Sequence, residues 1–232
     1  CRNEPTQIPD SMGACLVKGL NNWDRVWHYR RSWEARCETL PSEADWKLEF
    51  KALLQRRDEY QDRLVILGQG PYSGVAAEEF GVGEVAWAED SLKIRREHEL
   101  THYFVYRMFG SLRQNAQDEL IADFVALVRS LGEYRASLAL RFLGLERFPQ
   151  VRPGGRIENY RGDPALSEPA MAVVRALAHR STHNLERLAR EHGDTLRDAT
   201  HLARVTLALA GLSLEELAEE NLPERLQGRI DR

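Results

Sequence analysis

Two stretches of this 232-residue chain carry helical patterning almost back to back, and that closeness restricts the fold more than any other feature. Ser91 to Phe109 reads as a helix opened by Asp90 or Ser91 and stopped by Gly110, a residue suited to a left-handed C-terminal position. A second helix starts near Asn115 and runs to about Leu131, leaving only Gly110 to Gln114 between the two. A connection this short predicts that the helices fold back on each other as an antiparallel hairpin.

The chemistry-bearing residues lie on that hairpin. Within His98-Glu99-Leu100-Thr101-His102 the two imidazoles are four residues apart, which on a helix separates them by roughly 40° and about 6 Å of rise. Side chains so placed can share one metal ion. Glu99 is turned by roughly 100° from His98, off the ligand line but near a metal's open side, where a base can take a proton from water. A catalytic zinc takes three protein ligands and leaves the fourth position to water. The following helix offers Glu119 and Asp123 on one face, and an antiparallel hairpin brings them opposite the histidines. Glu119 is therefore expected as the third ligand, and Asp123 as the acceptor holding the free nitrogen of His98.

These two motifs, His98 to His102 and Glu119-Leu120-Ile121-Ala122-Asp123, resemble those of gluzincin metallopeptidases, the thermolysin-like branch of the zincins. The resemblance covers about residues 91 to 131, with a shorter spacer than in thermolysin, while the flanking regions look like a compact zincin-like family. It implies one zinc ion on two histidines and a glutamate, Glu99 as general base, and a peptide or protein as substrate. It also implies an edge strand beside the active-site helix, for which 63 to 67 is the candidate. Metzincin ligation is excluded, since a glycine would be needed at Val105 and a third histidine at Met108.

Three readings of function follow. The first is a zinc metallopeptidase with Glu99 as base. The second keeps the zinc but hydrolyses a nonpeptide amide or another small molecule. The third is a noncatalytic helical binding module with structural zinc or a vestigial motif. Tyr160 and Arg156, in the turn-rich stretch Arg152 to Gly162, are candidates for stabilising an oxyanion, with Tyr103, Tyr106 and His201 weaker ones. His179 and His183 share the four-residue spacing, but Arg180 stands where a base would, so they read as a polar helical face. Gly68-Gln69-Gly70 lacks the rest of a phosphate-binding pattern, and Trp23, Trp27 and Trp33 read as packing residues.

Beyond the hairpin, helices are expected at about 20 to 37, 43 to 62, 167 to 191, 195 to 210 and 213 to 220. The β signals are Arg63 to Leu67 and, second, Gly83 to Trp87. The fold class is thus mainly α (α+β): a zincin-like helical hairpin, a small β element and a helical C-terminal part. The chain is expected to be a single domain over 1 to 232, with a candidate subdivision into 1 to 147 and 167 to 232 joined by the loop 148 to 166. A net charge of −4, with acidic and basic residues mixed along the chain, argues against nucleic acid or an anionic membrane as partner. Apolar runs such as Leu64 to Leu67 and Val205 to Leu212 are too short for a bilayer, so the expected location is cytoplasmic, with any targeting segment upstream of Cys1 outside this sequence. Oligomeric state is not encoded in any pattern found. Cys1, Cys15 and Cys37 are spaced unlike a redox or zinc-ribbon motif, and no disulfide framework is expected.

Overall fold

The computed structural model describes residues 13–111 and 115–230. Cys1 and part of the short connection after Gly110 lie outside the described residues. The architecture is mainly α with a small antiparallel β element, as expected. It divides into two compact units, one ending at Leu67 and the other beginning at Gly68. The segment 148–166 lies inside the second unit, where Ile157 is fully buried and Arg156 is nearly so.

In the first unit, β1 (Ala14–Asn21) pairs antiparallel with β2 (Gln61–Leu67), from Ala14 opposite Leu67 to Asn21 opposite Gln61. The register slips between Lys18 and Leu20, at Gly19, whose φ of 80° suits the glycine of a bulge. Three helices lie between the strands: α1 (Trp23–Glu34), α2 (Glu43–Leu53) and α3 (Arg57–Tyr60). Asn22 caps α1 through the Asp24 and Arg25 amides, and Ser42 with Asp45 forms a reciprocal capping box on α2. A small core joins Val26, Leu53 and Tyr60. Two expectations are corrected here. Leu20 belongs to β1, not to a helix over 20 to 37. The helix expected over 43 to 62 ends at Leu53, because the chain turns to return Tyr60 to Val26 and Leu53.

The second unit contains α4 (Glu84–Phe109), α5 (Ala116–Leu131), α6 (Ala136–Leu143), α7 (Glu168–His192), α8 (Ala199–Ala210), α9 (Leu214–Leu217) and α10 (Leu222–Ile230). The strand expected at Gly83 to Trp87 is instead the start of α4. Trp87 is buried while Val85 is exposed, and Trp87, Ser91, Ile94, Arg95, His98 and Thr101 form one buried helical stripe. Gly110 ends α4 with a φ of 71°, and Asn115 caps α5 by accepting from the Asp118 amide. These helices pack on each other more extensively than any other pair of helices, as a hairpin requires. α5 is buried along most of its length, and Leu120, Phe124 and Leu127 anchor it among Phe142, Leu185 and Leu209. Each such side chain contributes roughly 1.5–3 kcal/mol on burial, so the face of α5 that carries Asp123 has little freedom to rotate. No helix of the described residues is long and apolar enough to cross a membrane.

Candidate metal centre

The α4–α5 pairing sets His98 and His102 against Glu119. The His98 and His102 Nε2 atoms are 3.0 Å apart, His98 Nε2 is 3.3 Å from Glu119 Oε2, and His102 Nε2 is 3.4 Å from Glu119 Oε1. Among the described residues this trio is the group of histidine, cysteine and carboxylate side chains whose ligand atoms converge tightly enough to hold a metal ion. Glu119 lies in the first turn of α5, where the helix dipole favours an anion.

Asp123, one turn further on, is fully buried, and its Oδ1 lies 2.9 Å from His98 Nδ1. His98 thus turns one ring nitrogen to a carboxylate and the other to the ligand cluster, an arrangement that orients metal-binding histidines. Two residues from distant loops complete the surroundings of Asp123. The Tyr72 hydroxyl donates to Asp123 Oδ1 at 2.6 Å, and Arg156 donates through Nη2 to Asp123 Oδ2. Arg156 Nη1 also donates to the Tyr72 hydroxyl at 3.1 Å and stands 3.9 Å from Glu119 Oε2.

The electrostatics follow from this packing. Burial opposes ionisation of Asp123, but the Arg156 charge and the His98 hydrogen bond outweigh it and hold the carboxyl below its ordinary value. Glu119 is likewise held well below its ordinary range by the two histidines and Arg156, against the cost of burial. Burial depresses His98, yet its hydrogen bonds to Asp123 and Glu119 prevail and lift it to about 9 when no metal competes. Burial raises the Tyr72 and Tyr160 phenols, so both stay neutral hydrogen-bond donors.

Local sequence explains how the loops reach the site. Arg95, one turn before His98 on α4, donates to the Gly68 carbonyl at 2.5 Å and the Gly70 carbonyl at 2.9 Å. The Tyr72 amide donates to Ser91 Oγ at 3.0 Å, and the Tyr72 ring meets Phe142 edge-on. Arg156 opens the short 3-10 turn Arg156–Tyr160, seated where Gly144 and Gly155 bring two backbones together. A Cβ on Gly144 would meet the Gly155 Cα at 2.5 Å, and Gly144 also has a φ of 79°, so no side chain fits.

Glu99 is half-buried on α4, and its charge is felt by Arg95 one turn earlier. Tyr160 reaches Glu119, with a hydrogen bond to that carboxylate among the causes of its raised pKa. His179 and His183 have ring centroids 4.8 Å apart, and His179 stacks on Phe148 without joining a converging group of three. His201 pairs with His192 at 2.9 Å. Cys15 and Cys37 are free thiols. The sequence reading missed Tyr72 altogether and did not place Arg156 on Asp123. The available signal was the Gly154-Gly155 pair, since Gly155 permits the close approach of its backbone to Gly144.

Fold and site together define a mainly helical protein with a buried cluster of two histidines and a glutamate able to hold a metal ion. The chain belongs to DUF7005, a family of unknown function, whose model matches residues 1–221. No curated protein and no solved structure matches it.

Proposed function

We propose that this chain is a zinc-dependent hydrolase of gluzincin type, acting on peptide bonds, with Glu99 as general base. The observation that carries the reading is the His98, His102 and Glu119 triangle, with edges of 3.0, 3.3 and 3.4 Å. Tetrahedral zinc with bonds of about 2.0–2.1 Å spaces its ligand atoms by roughly 3.3–3.4 Å, so the donors need only tenths of an ångström of adjustment. Two imidazoles and one carboxylate are also a set that suits zinc over the oxygen-only preference of magnesium or calcium.

Zinc, when bound, supplies Lewis acidity that polarises a carbonyl and acidifies water. The chain's own groups do the rest. Glu99 accepts the proton of the attacking water and delivers it to the leaving amine nitrogen. Tyr160, kept protonated by burial, must release its hydrogen bond to Glu119 before it donates to the oxyanion that forms at the scissile carbonyl. Asp123 holds the His98 ring so that Nε2 faces the metal. Three ligands from the chain suit a catalytic centre, whereas a structural zinc closes its shell with four.

The test is Glu99→Gln with zinc content and hydrolysis measured on one preparation, using a peptide-library digest beside a panel of small amides. The variant is expected to keep its zinc and lose roughly 10²–10⁴-fold in rate. Retention of both zinc and full hydrolysis would remove Glu99 from the reaction, and turnover confined to small amides would replace peptides as substrate.

A further inference from the structure

We infer that Tyr72 and Arg156 are positioning residues that dictate which nitrogen of His98 carries its proton. The inference rests on the metal reading above and extends it to two residues that touch no ligand atom of the proposed shell directly enough to serve as ligands.

Hydrogen-bond direction around Tyr72 is fixed by its neighbours. A guanidinium has donors and no acceptor, so Arg156 must donate to the Tyr72 oxygen, which it meets at 3.1 Å, and to Asp123 Oδ2. The Tyr72 oxygen, already accepting, has one proton to place. Its neighbours are Asp123 Oδ1 at 2.6 Å and His98 Nδ1 at 2.8 Å. If that proton went to His98, the short Tyr72–Asp123 and His98–Asp123 contacts would both lack a hydrogen and set lone pairs against one another. Donating it to Asp123 leaves the single His98 Nδ1 proton to be shared between the same carboxylate at 2.9 Å and the Tyr72 oxygen at 2.8 Å, so that no short contact sets lone pair against lone pair. The neutral imidazole must then present a bare Nε2 to His102 and Glu119. The proton order thus runs from Arg156 through Tyr72 to Asp123, and the tautomer of His98 is its consequence.

Both residues are fixed from outside the site. Arg95 grips the carbonyls before Tyr72, and the Gly144–Gly155 contact seats the turn that begins with Arg156. A Cβ on Gly155 would lie 3.0 Å from the Leu143 and Arg152 carbonyl oxygens and the Gly144 Cα, while its φ remains ordinary. Gly155→Ala therefore shifts the Arg156 turn without altering any residue of the network.

Titration with a cobalt(II) salt of the chelator-treated full chain tests this, reading affinity and the visible ligand-field spectrum together. Tyr72→Phe and Arg156→Lys both preserve net charge, so a change reports lost hydrogen-bond direction and not lost charge. Each is expected to bind cobalt about tenfold more weakly with a shifted spectrum. Gly155→Ala should move the spectrum in the same way while leaving helix content unchanged by circular dichroism. Wild-type affinity and superimposable spectra in all three variants would overturn the inference, as would a lower metal-free melting temperature with the spectrum unchanged. Failure of the wild type itself to take up cobalt would overturn the metal reading first and this inference with it.

Discussion

Replacing Asp123 by asparagine changes almost no volume and isolates what the buried carboxylate contributes. Asp123 is fully buried, and Arg156 keeps a side-chain exposure of only 16%. The asparagine oxygen can still accept from Tyr72 and His98, which turns its amide NH₂ toward the Arg156 guanidinium, donor against donor. The variant therefore breaks the direct ion pair and leaves the largely buried Arg156 only the more distant Glu119 carboxylate, 3.9 Å away, a loss that costs about 3–5 kcal/mol. For a unit of this size the melting temperature falls by about 2–4 °C per kcal/mol, giving a drop of roughly 6–20 °C. The assay is thermal and urea unfolding of chelator-treated protein, so that metal loss does not enter. The double variant Asp123→Asn with Arg156→Met removes both partners and should recover more than half of the loss. A destabilisation under about 1 kcal/mol in Asp123→Asn, or a double variant no better than the single, would show that the ion pair does not support the site as argued.

Other consequences follow from the same geometry. His98, raised from an ordinary 6.5 to about 9, stabilises the metal-free fold fully below pH 6.5 and loses that contribution as pH rises through 9. The loss is about 3 kcal/mol between those limits, readable as a fall in urea midpoint that zinc suppresses. Because Nε2 must shed its proton to bind metal, zinc uptake at pH 7 should release about one proton. Calorimetry in buffers of different ionisation enthalpy measures it, and identical enthalpies in all buffers would contradict it. Gly144→Ala, meeting Gly155 at 2.5 Å from a left-handed backbone, should destabilise the second unit by more than about 1 kcal/mol in urea unfolding. A wild-type midpoint would mean that the two backbones separate freely.

The hairpin and its four polar residues were legible because local rules determine them. Four-residue spacing sets His98 with His102 and Glu119 with Asp123, and Gly110 with Asn115 marks the ends that turn one helix against the other. The start of α4 was misread because Val85, Ala86 and Trp87 make a short apolar run. The period that identifies it, Trp87 to Ser91 to Ile94, emerges only over a longer window. β1 escaped notice because Ala14 to Val17 are an unbroken apolar run with no polar alternation and the pairing slips at Gly19. Tyr72 and Arg156 could not be read at all from spacing. They stand 51 and 33 residues from Asp123 in the chain, and only the packing of their loops onto α4 and α6 brings them to it.

Metal content is the most direct property of the proposed centre. Wild-type protein purified without chelators should carry one equivalent of zinc per chain by elemental analysis, and His102→Ala, folded by circular dichroism, should carry none. Wild-type protein free of stoichiometric metal after equilibration with zinc, or His102→Ala retaining it in full, would contradict the assignment of His98, His102 and Glu119 as its ligands.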